Sequence, residues 1–244
     1  KDLHINFYGI TLGARGNLFD PDKQQNPYTD SAVYSNWPSR QNDNPEAYRQ
    51  AHAVRLTGLL QPGCTHHWAD MDWEVHAAPG HDPHSVILFA PEHRLLMSAD
   101  ALWQNGFGVV FPELVGIDAF DEVGQTLDLI ERLDPAIVIP GHGAVFTDLT
   151  PALALARSKL NAFAQNPERH ARYGTKVLLK FKLLEWGRIS KSEFCAWALQ
   201  VPYLNDLHQR FGQDHELSTW LDMMLAELAR SGALAVHDGV LHDL

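Results

Sequence analysis

The sequence predicts an α/β fold followed by a smaller helical unit, and three observations carry that reading. Apolar strands alternate with an amphipathic helix between residues 70 and 150, two of those strands end in turns that deliver a histidine, and Gln165-Asn166-Pro167 breaks the chain ahead of a run of helices closed by a hairpin. The expected boundaries are therefore residues 1–165 for the first domain and 166–244 for the second.

Taken in order, His4-Ile5-Asn6-Phe7-Tyr8 reads as a short strand, and the stretch after it, dense in Asn, Asp, Gln, Pro and Ser, reads as a loop longer than compact domains usually hold. Glu46 to Leu60 reads as a short helix ended by Gln61-Pro62-Gly63, and Ala69 to His76 alternates apolar with polar as a half-buried strand does. The turn Pro79-Gly80-His81-Asp82-Pro83-His84-Ser85 then leads into Val86–Phe89. A Pro91-Glu92 turn follows, and Arg94–Met97 delivers Asp100.

Leu102 to Gly116 is apolar but interrupted by Gly106, Gly108 and Pro112, which predicts a loop. Phe120, Val123, Leu127, Ile130 and Leu133 form one helical face closed by Asp134-Pro135. Ala136–Ile139 is a buried strand ending in Pro140-Gly141-His142-Gly143. Thr150-Pro151 reads as a helix start, Thr as N-cap and Pro at the first helical position, running to about Phe163.

In the second domain Val177, Phe181 and Leu184 read as the inward face of a helix stopped by Gly187. Ser190-Lys191-Ser192-Glu193 is a capping box opening a helix with Phe194, Trp197 and Ala198 inward. Pro202 breaks it and a short segment reaches Phe211-Gly212. Leu217, Trp220, Met224 and Leu228 mark a longer helix to Ser231-Gly232, and Asp238-Gly239 is a hairpin turn.

Strand ends are rigid platforms, and glycines allow sharp turns that bring side chains to a shared point. The strings Pro79-Gly80-His81-Asp82-Pro83-His84-Ser85, Ser98-Ala99-Asp100 and Pro140-Gly141-His142-Gly143 resemble, in order and spacing, the second, third and fourth metal-binding motifs of metallo-β-lactamase-fold hydrolases. The resemblance covers roughly residues 70 to 150 and implies a two-sheet αββα sandwich with a glyoxalase-II-like architecture. The closing helices and hairpin are similar to the winged-helix domain that some of these hydrolases carry.

The resemblance implies His81, Asp100 and His142 as ligands of two divalent metal ions, zinc by default, with iron or manganese compatible. Asp100 would bridge, and a metal-bound hydroxide would attack an ester, thioester, lactone or related bond, with no protein base required. Asp82 and His84 are candidates for hydrogen bonding behind the ligands, or for capping the turn. The family's first motif, His-x-His-x-Asp-His, occurs nowhere in the sequence, so the expectation is a fold missing its amino-terminal part and, without that motif, weak metal affinity.

Composition narrows the classes. With 244 residues, 45% hydrophobic and 20% charged, the chain reads as soluble and globular. A net charge of −11 disfavours polyanion binding along the whole chain. Two distant cysteines, Cys64 and Cys195, point to neither a disulfide framework nor a thiolate zinc site, in keeping with a reducing, cytoplasmic compartment. No apolar run is long enough to span a membrane.

Residues 169 to 191 carry Arg169, Arg172, Lys176, Lys180, Lys182, Arg188 and Lys191 against Glu185 alone. From 166 to 244, however, nine basic residues face ten acidic ones, which weighs against nucleic acid and leaves dimerisation or packing as a lid over the cleft as the plainer use. The partner expected is a small-molecule substrate. Trp37, Trp68, Trp73 and Trp103 are candidate cleft aromatics, Trp73 being assigned to the core, and Phe107 to Gly116 is the stretch expected to meet substrate. The rival function is a metal-poor, non-enzymatic binding or regulatory protein on the same scaffold, with nucleic-acid binding through its second domain as one form of it.

Overall fold

Alternation of apolar and polar residues builds the first sheet. The computed structural model describes residues 60–244, so the strand expected at His4–Tyr8, most of the helix expected from Glu46, and Trp37 lie outside the described residues. Strands β1 (Thr65–Trp68), β2 (Met71–Ala77), β3 (Val86–Ala90) and β4 (Leu95–Ala99) run antiparallel in sequence order. Strand β5 (Ile137–Pro140) adds parallel to β4, giving the order β1-β2-β3-β4-β5.

Registers Val75↔Leu88 and Leu88↔Met97 bring Trp73, Val75, Val86, Leu88, Ala90 and Met97 into one core cluster. The pleat sends Ile87, Phe89, Leu96 and Val138 to the other face, where all four are buried. Strand β3 is buried at every residue, which explains its unbroken Val-Ile-Leu-Phe-Ala run; each such side chain contributes about 1.5–3 kcal/mol on leaving water. Strand β1 has no counterpart among the expected elements. The β1–β2 hairpin turns through Ala69 and Asp70 at φ 53 and 57, a conformation for which Asn-Gly or Asp-Gly is the usual sequence signal.

Helix α1 (Phe111–Leu114) interrupts the loop predicted over Leu102–Gly116, and α2 (Phe120–Leu133) matches the predicted helical face, with Val123, Leu127 and Ile130 buried. The amino end of α2 is capped from α1, where Glu113 Oε1 accepts Ala119 N–H at 2.6 Å and Phe120 N–H at 2.9 Å. Its carboxyl end stops at Asp134 in the left-handed region, whose carbonyl accepts from Arg94 Nε at 2.8 Å.

Helix α3 (Leu149–Gln165) packs beside α2, tied by Arg157 to Asp128 at 2.6 Å and Glu131 at 2.9 Å. It starts at Leu149 with Asp148 as N-cap, not Thr150. Proline lacks an N–H that no residue of the first turn needs, so Pro151 is tolerated at the third helical position as well as the first.

The described residues form two compact units, 60–167 and 168–244. In the second, α4 (Pro167–Trp186), β6 (Arg188–Ser190), α5 (Lys191–Ala198), α6 (Pro202–Phe211), α7 (Leu217–Arg230), β7 (Leu234–His237) and β8 (Val240–Asp243) follow in order, with a three-stranded antiparallel sheet β6-β8-β7. Ser190 Oγ accepts Glu193 N–H at 3.2 Å, the core of the expected cap, and Asp238-Gly239 turns the hairpin at φ 50 and 74.

The inward face expected on α4 is corrected: Phe181 and Leu184 are 43% and 55% exposed, while Ala171, Thr175, Leu178, Leu179, Lys182 and Leu183 are buried. Lys182 misleads the pattern, because a lysine reads as outward. Here its ammonium donates to Glu185 at 2.8 Å and lies 4.4 Å from the Trp186 ring and 5.6 Å from Trp197; burial nonetheless lowers its pKa. No helix among the described residues is long and apolar enough to cross a membrane.

Candidate metal centre

The Pro79–Ser85 turn joins β2 to β3 and is anchored by α2, where Thr126 Oγ1 donates to Pro79 O at 2.9 Å. Anchored in this way it presents His81. The ring Nδ1 lies 2.6 Å from Val109 O and, as the donor to that carbonyl, leaves Nε2 as the lone pair. Phe111 packs edge-on at 5.2 Å, and its N–H donates to His81 O at 3.3 Å. Asp82 Oδ1 accepts His84 N–H at 2.8 Å, so Asp82 caps the turn and His84 is exposed.

Asp100 follows β4 through Ala99, whose φ of 47 swings the chain off the strand line. Gly108 N–H donates to Asp100 O at 2.9 Å, and Gly141 N–H to Ala99 O at 2.7 Å, so the ends of three segments meet within hydrogen-bond reach. Only glycine fits at two of these contacts. A Cβ on Gly108 would lie 2.6 Å from His81 Nδ1, and one on Gly141 2.7 Å from Asp100 Oδ1. His142 emerges immediately after Gly141.

The three side chains expected as ligands are brought together. His81 Nε2 is 3.3 Å from Asp100 Oδ2, and His142 Nε2 is 3.5 Å from Asp100 Oδ1. Side-chain exposure is 13% for His81, 16% for Asp100 and 48% for His142, so the cluster opens to solvent on the His142 side. Among the described residues no group of three or more His, Cys, Asp or Glu side chains gathers with the geometry to hold a single metal ion.

Trp103, a candidate cleft aromatic, makes more specific contacts. Its indole N–H donates to Asp100 Oδ1 at 3.1 Å, and its ring meets His142 edge-on at 5.1 Å. Trp73 is core, 1% exposed, with Trp68 stacked on it at 6.1 Å. The loop expected to meet substrate is buried at Phe107, Val109, Val110 and Leu114; it supports the site from beneath with backbone groups.

Lys159 of α3 gives no signal in the sequence beyond its place in a helix. Its Nζ donates to Phe107 O at 2.8 Å and lies 5.8 Å from the Trp103 ring, 4.8 Å from Phe107 and 5.5 Å from Phe163. Burial lowers its pKa to about 8. Since the unfolded chain binds this proton more tightly, the native state is handicapped below pH 8 and relieved as pH rises toward the unfolded value near 10.5. The wild-type protein is therefore expected to gain about 1–3 kcal/mol between those limits relative to Lys159→Met, after discounting for residual solvent access. Paired urea or thermal unfolding at pH 7.5 and 10 checks this; parallel pH profiles for the two proteins would contradict it.

No curated protein matches the sequence. Solved structures to which the chain is similar include a metallo-beta-lactamase family protein from Thermus thermophilus, at 18% identity over 82% of this chain and 66% of that one with a TM-score of 0.37. A beta-lactamase domain protein from Burkholderia ambifaria is 18% identical over 78% of this chain and 53% of that one, TM-score 0.40, and ETHE1 from Myxococcus xanthus 17% over 49% and 61%, TM-score 0.34. The chain thus spans about half to two thirds of the length of these proteins. A family model described as the metallo-beta-lactamase superfamily matches residues 28–142, the stretch that carries the His81 turn, Asp100 and His142.

Proposed function

We propose that the chain is a metal-dependent hydrolase in which His81, Asp100 and His142 hold two divalent cations, zinc first among them, on the same donors that suit iron or manganese. One observation carries the reading: the two oxygens of a single carboxylate face the Nε2 atoms of two different histidines, at 3.3 and 3.5 Å. Charge-assisted hydrogen bonds are shorter, about 2.7–2.9 Å. Two ligands of one tetrahedral cation, each bonded at about 2.0–2.1 Å, stand about 3.4 Å apart. The set divides into two positions with one histidine each and a shared aspartate.

When bound, the cation pair supplies Lewis acidity for a water and for the scissile carbonyl or phosphoryl oxygen. The residues of the chain do the rest. Val109 O sets the His81 tautomer, Asp100 spans both positions, and the exposed His142 side admits the substrate, for which an ester, thioester, lactone or related bond in a small molecule is assigned. In the second unit Arg172 and Lys176 pair with Glu227, Lys180 with Asp243, Lys182 with Glu185 and Lys191 with Asp222. Cations committed to internal carboxylates support a role for that unit other than binding nucleic acid. Free Cys64 and Cys195 accord with a reducing, cytoplasmic setting.

The test is elemental analysis of the full-length gene product after equilibration with zinc, together with a panel of ester, thioester and lactone substrates. Close to two ions per chain and metal-dependent turnover are expected. A folded chain that holds no metal moves the reading to a binding or regulatory protein on the same scaffold.

A further inference from the structure

We propose that Trp103 is a positioning residue that sets the rotation of the Asp100 carboxylate and thereby decides how firmly the His142 side of the centre holds its cation. The proposal rests on the metal reading above and deepens it. The indole N–H donates at 3.1 Å to Oδ1, the oxygen that faces His142, whereas Oδ2 faces His81. A carboxylate oxygen has two lone-pair directions, so one can take the N–H while the other stays aimed at the His142 position. The torsion that turns a carboxylate about its Cβ–Cγ bond is broad and nearly two-fold, so some second contact has to select its angle.

Trp103 is itself held. Its N–H donates to Gly106 O at 2.6 Å and its carbonyl accepts Gly106 N–H at 3.3 Å, closing a tight turn. Lys159 grips the next residue, Phe107, by its carbonyl at 2.8 Å and sits 5.8 Å from the indole. The ring edge then rests on the His142 imidazole. His81 has a separate support in Val109 O and Phe111. The two halves of the centre are thus braced by different parts of the 103–111 segment, and removing one brace should affect one half.

Trp103→Phe keeps an aromatic ring and removes the N–H. Zinc titration of the full-length protein against a chromophoric chelator, with the ring nitrogen resonances of His81 and His142 followed by NMR, is expected to show about a 10–100-fold loss of affinity at the His142 position and a change within about threefold at the His81 position. A benzothiophene isostere of tryptophan placed at position 103 has the same shape without the N–H. It is expected to give the same one-sided loss, and it serves if the Phe variant does not fold. An unchanged titration with the isostere, or equal weakening at both positions, overturns the proposal and leaves Trp103 as packing. Wild-type protein that binds no zinc is a different result, seen without any substitution, and it overturns the metal reading itself.

Discussion

Asp100→Ala is expected to empty both metal positions and to lower any hydrolytic activity by about 10³-fold or more, the scale on which loss of a preorganised electrostatic centre is felt. Asp100 is the only one of the three side chains placed against both others, each oxygen facing a different histidine. Loss of either histidine leaves one position with two donors; loss of the aspartate leaves two isolated imidazoles. Structural damage can be separated from loss of ligation with Asp100→Asn, which retains the size of the side chain and an oxygen for the Trp103 N–H but not the charge. Both variants should keep wild-type circular dichroism while elemental analysis finds less than one ion per chain. Full metal content in the Ala variant would mean that the ligands lie elsewhere.

Gly108→Ala is expected to have the next largest effect, although glycine carries no functional group. An added Cβ would sit 2.6 Å from His81 Nδ1, closer than side-chain carbons are found, and a tight 3.0 Å from Asp100 Cβ. The backbone cannot easily retreat, because Gly108 N–H is bonded to Asp100 O at 2.9 Å. The imidazole must then leave Val109 O, and with it goes the tautomer that aims Nε2 at the centre. Overpacking of this kind costs about 1–3 kcal/mol of stability, and loss of a ligand's supporting hydrogen bond lowers metal affinity by about 10–100-fold. Gly124→Ala is the matched control: it lies within α2, its added Cβ would meet Leu160 Cδ2 at an ordinary 3.7 Å, and it should be neutral or stabilising by about 1 kcal/mol. Thermal unfolding and zinc titration of the pair provide the check, and equal behaviour of the two variants would remove the packing argument.

Much of this was legible because the signals are local. The apolar face of α2, the unbroken run of β3, the break at Asn166-Pro167 and the Asp238-Gly239 turn all depend on residues within a few positions of one another. The order of the three motifs, each a strand end followed by a histidine or aspartate, was enough to single out His81, Asp100 and His142. Periodicity failed where a residue behaves against its type. Lys182 is buried because Glu185, Trp186 and Trp197 surround it, and β1 pairs through an Ala69-Asp70 turn that lacks the usual glycine.

What sequence alone determined, then, is the elements with local signals, β3, α2 and the closing hairpin among them, and the three residues that follow strand ends. Tertiary structure decided how those residues are held, since the relevant contacts join positions far apart in the chain: Val109 O with the His81 ring, Gly141 against Ala99, and Lys159 with Phe107. Hydrogen bonds of this kind depend on distances of a fraction of an ångström between separately folded segments, and no pattern of residue types along one segment encodes them. Trp103 shows the difference most clearly. Along the chain it is one aromatic among several; its indole N–H reaches Asp100 three residues away, but only the approach of β5 to the end of β4 brings its ring against His142 on the exposed side of the centre.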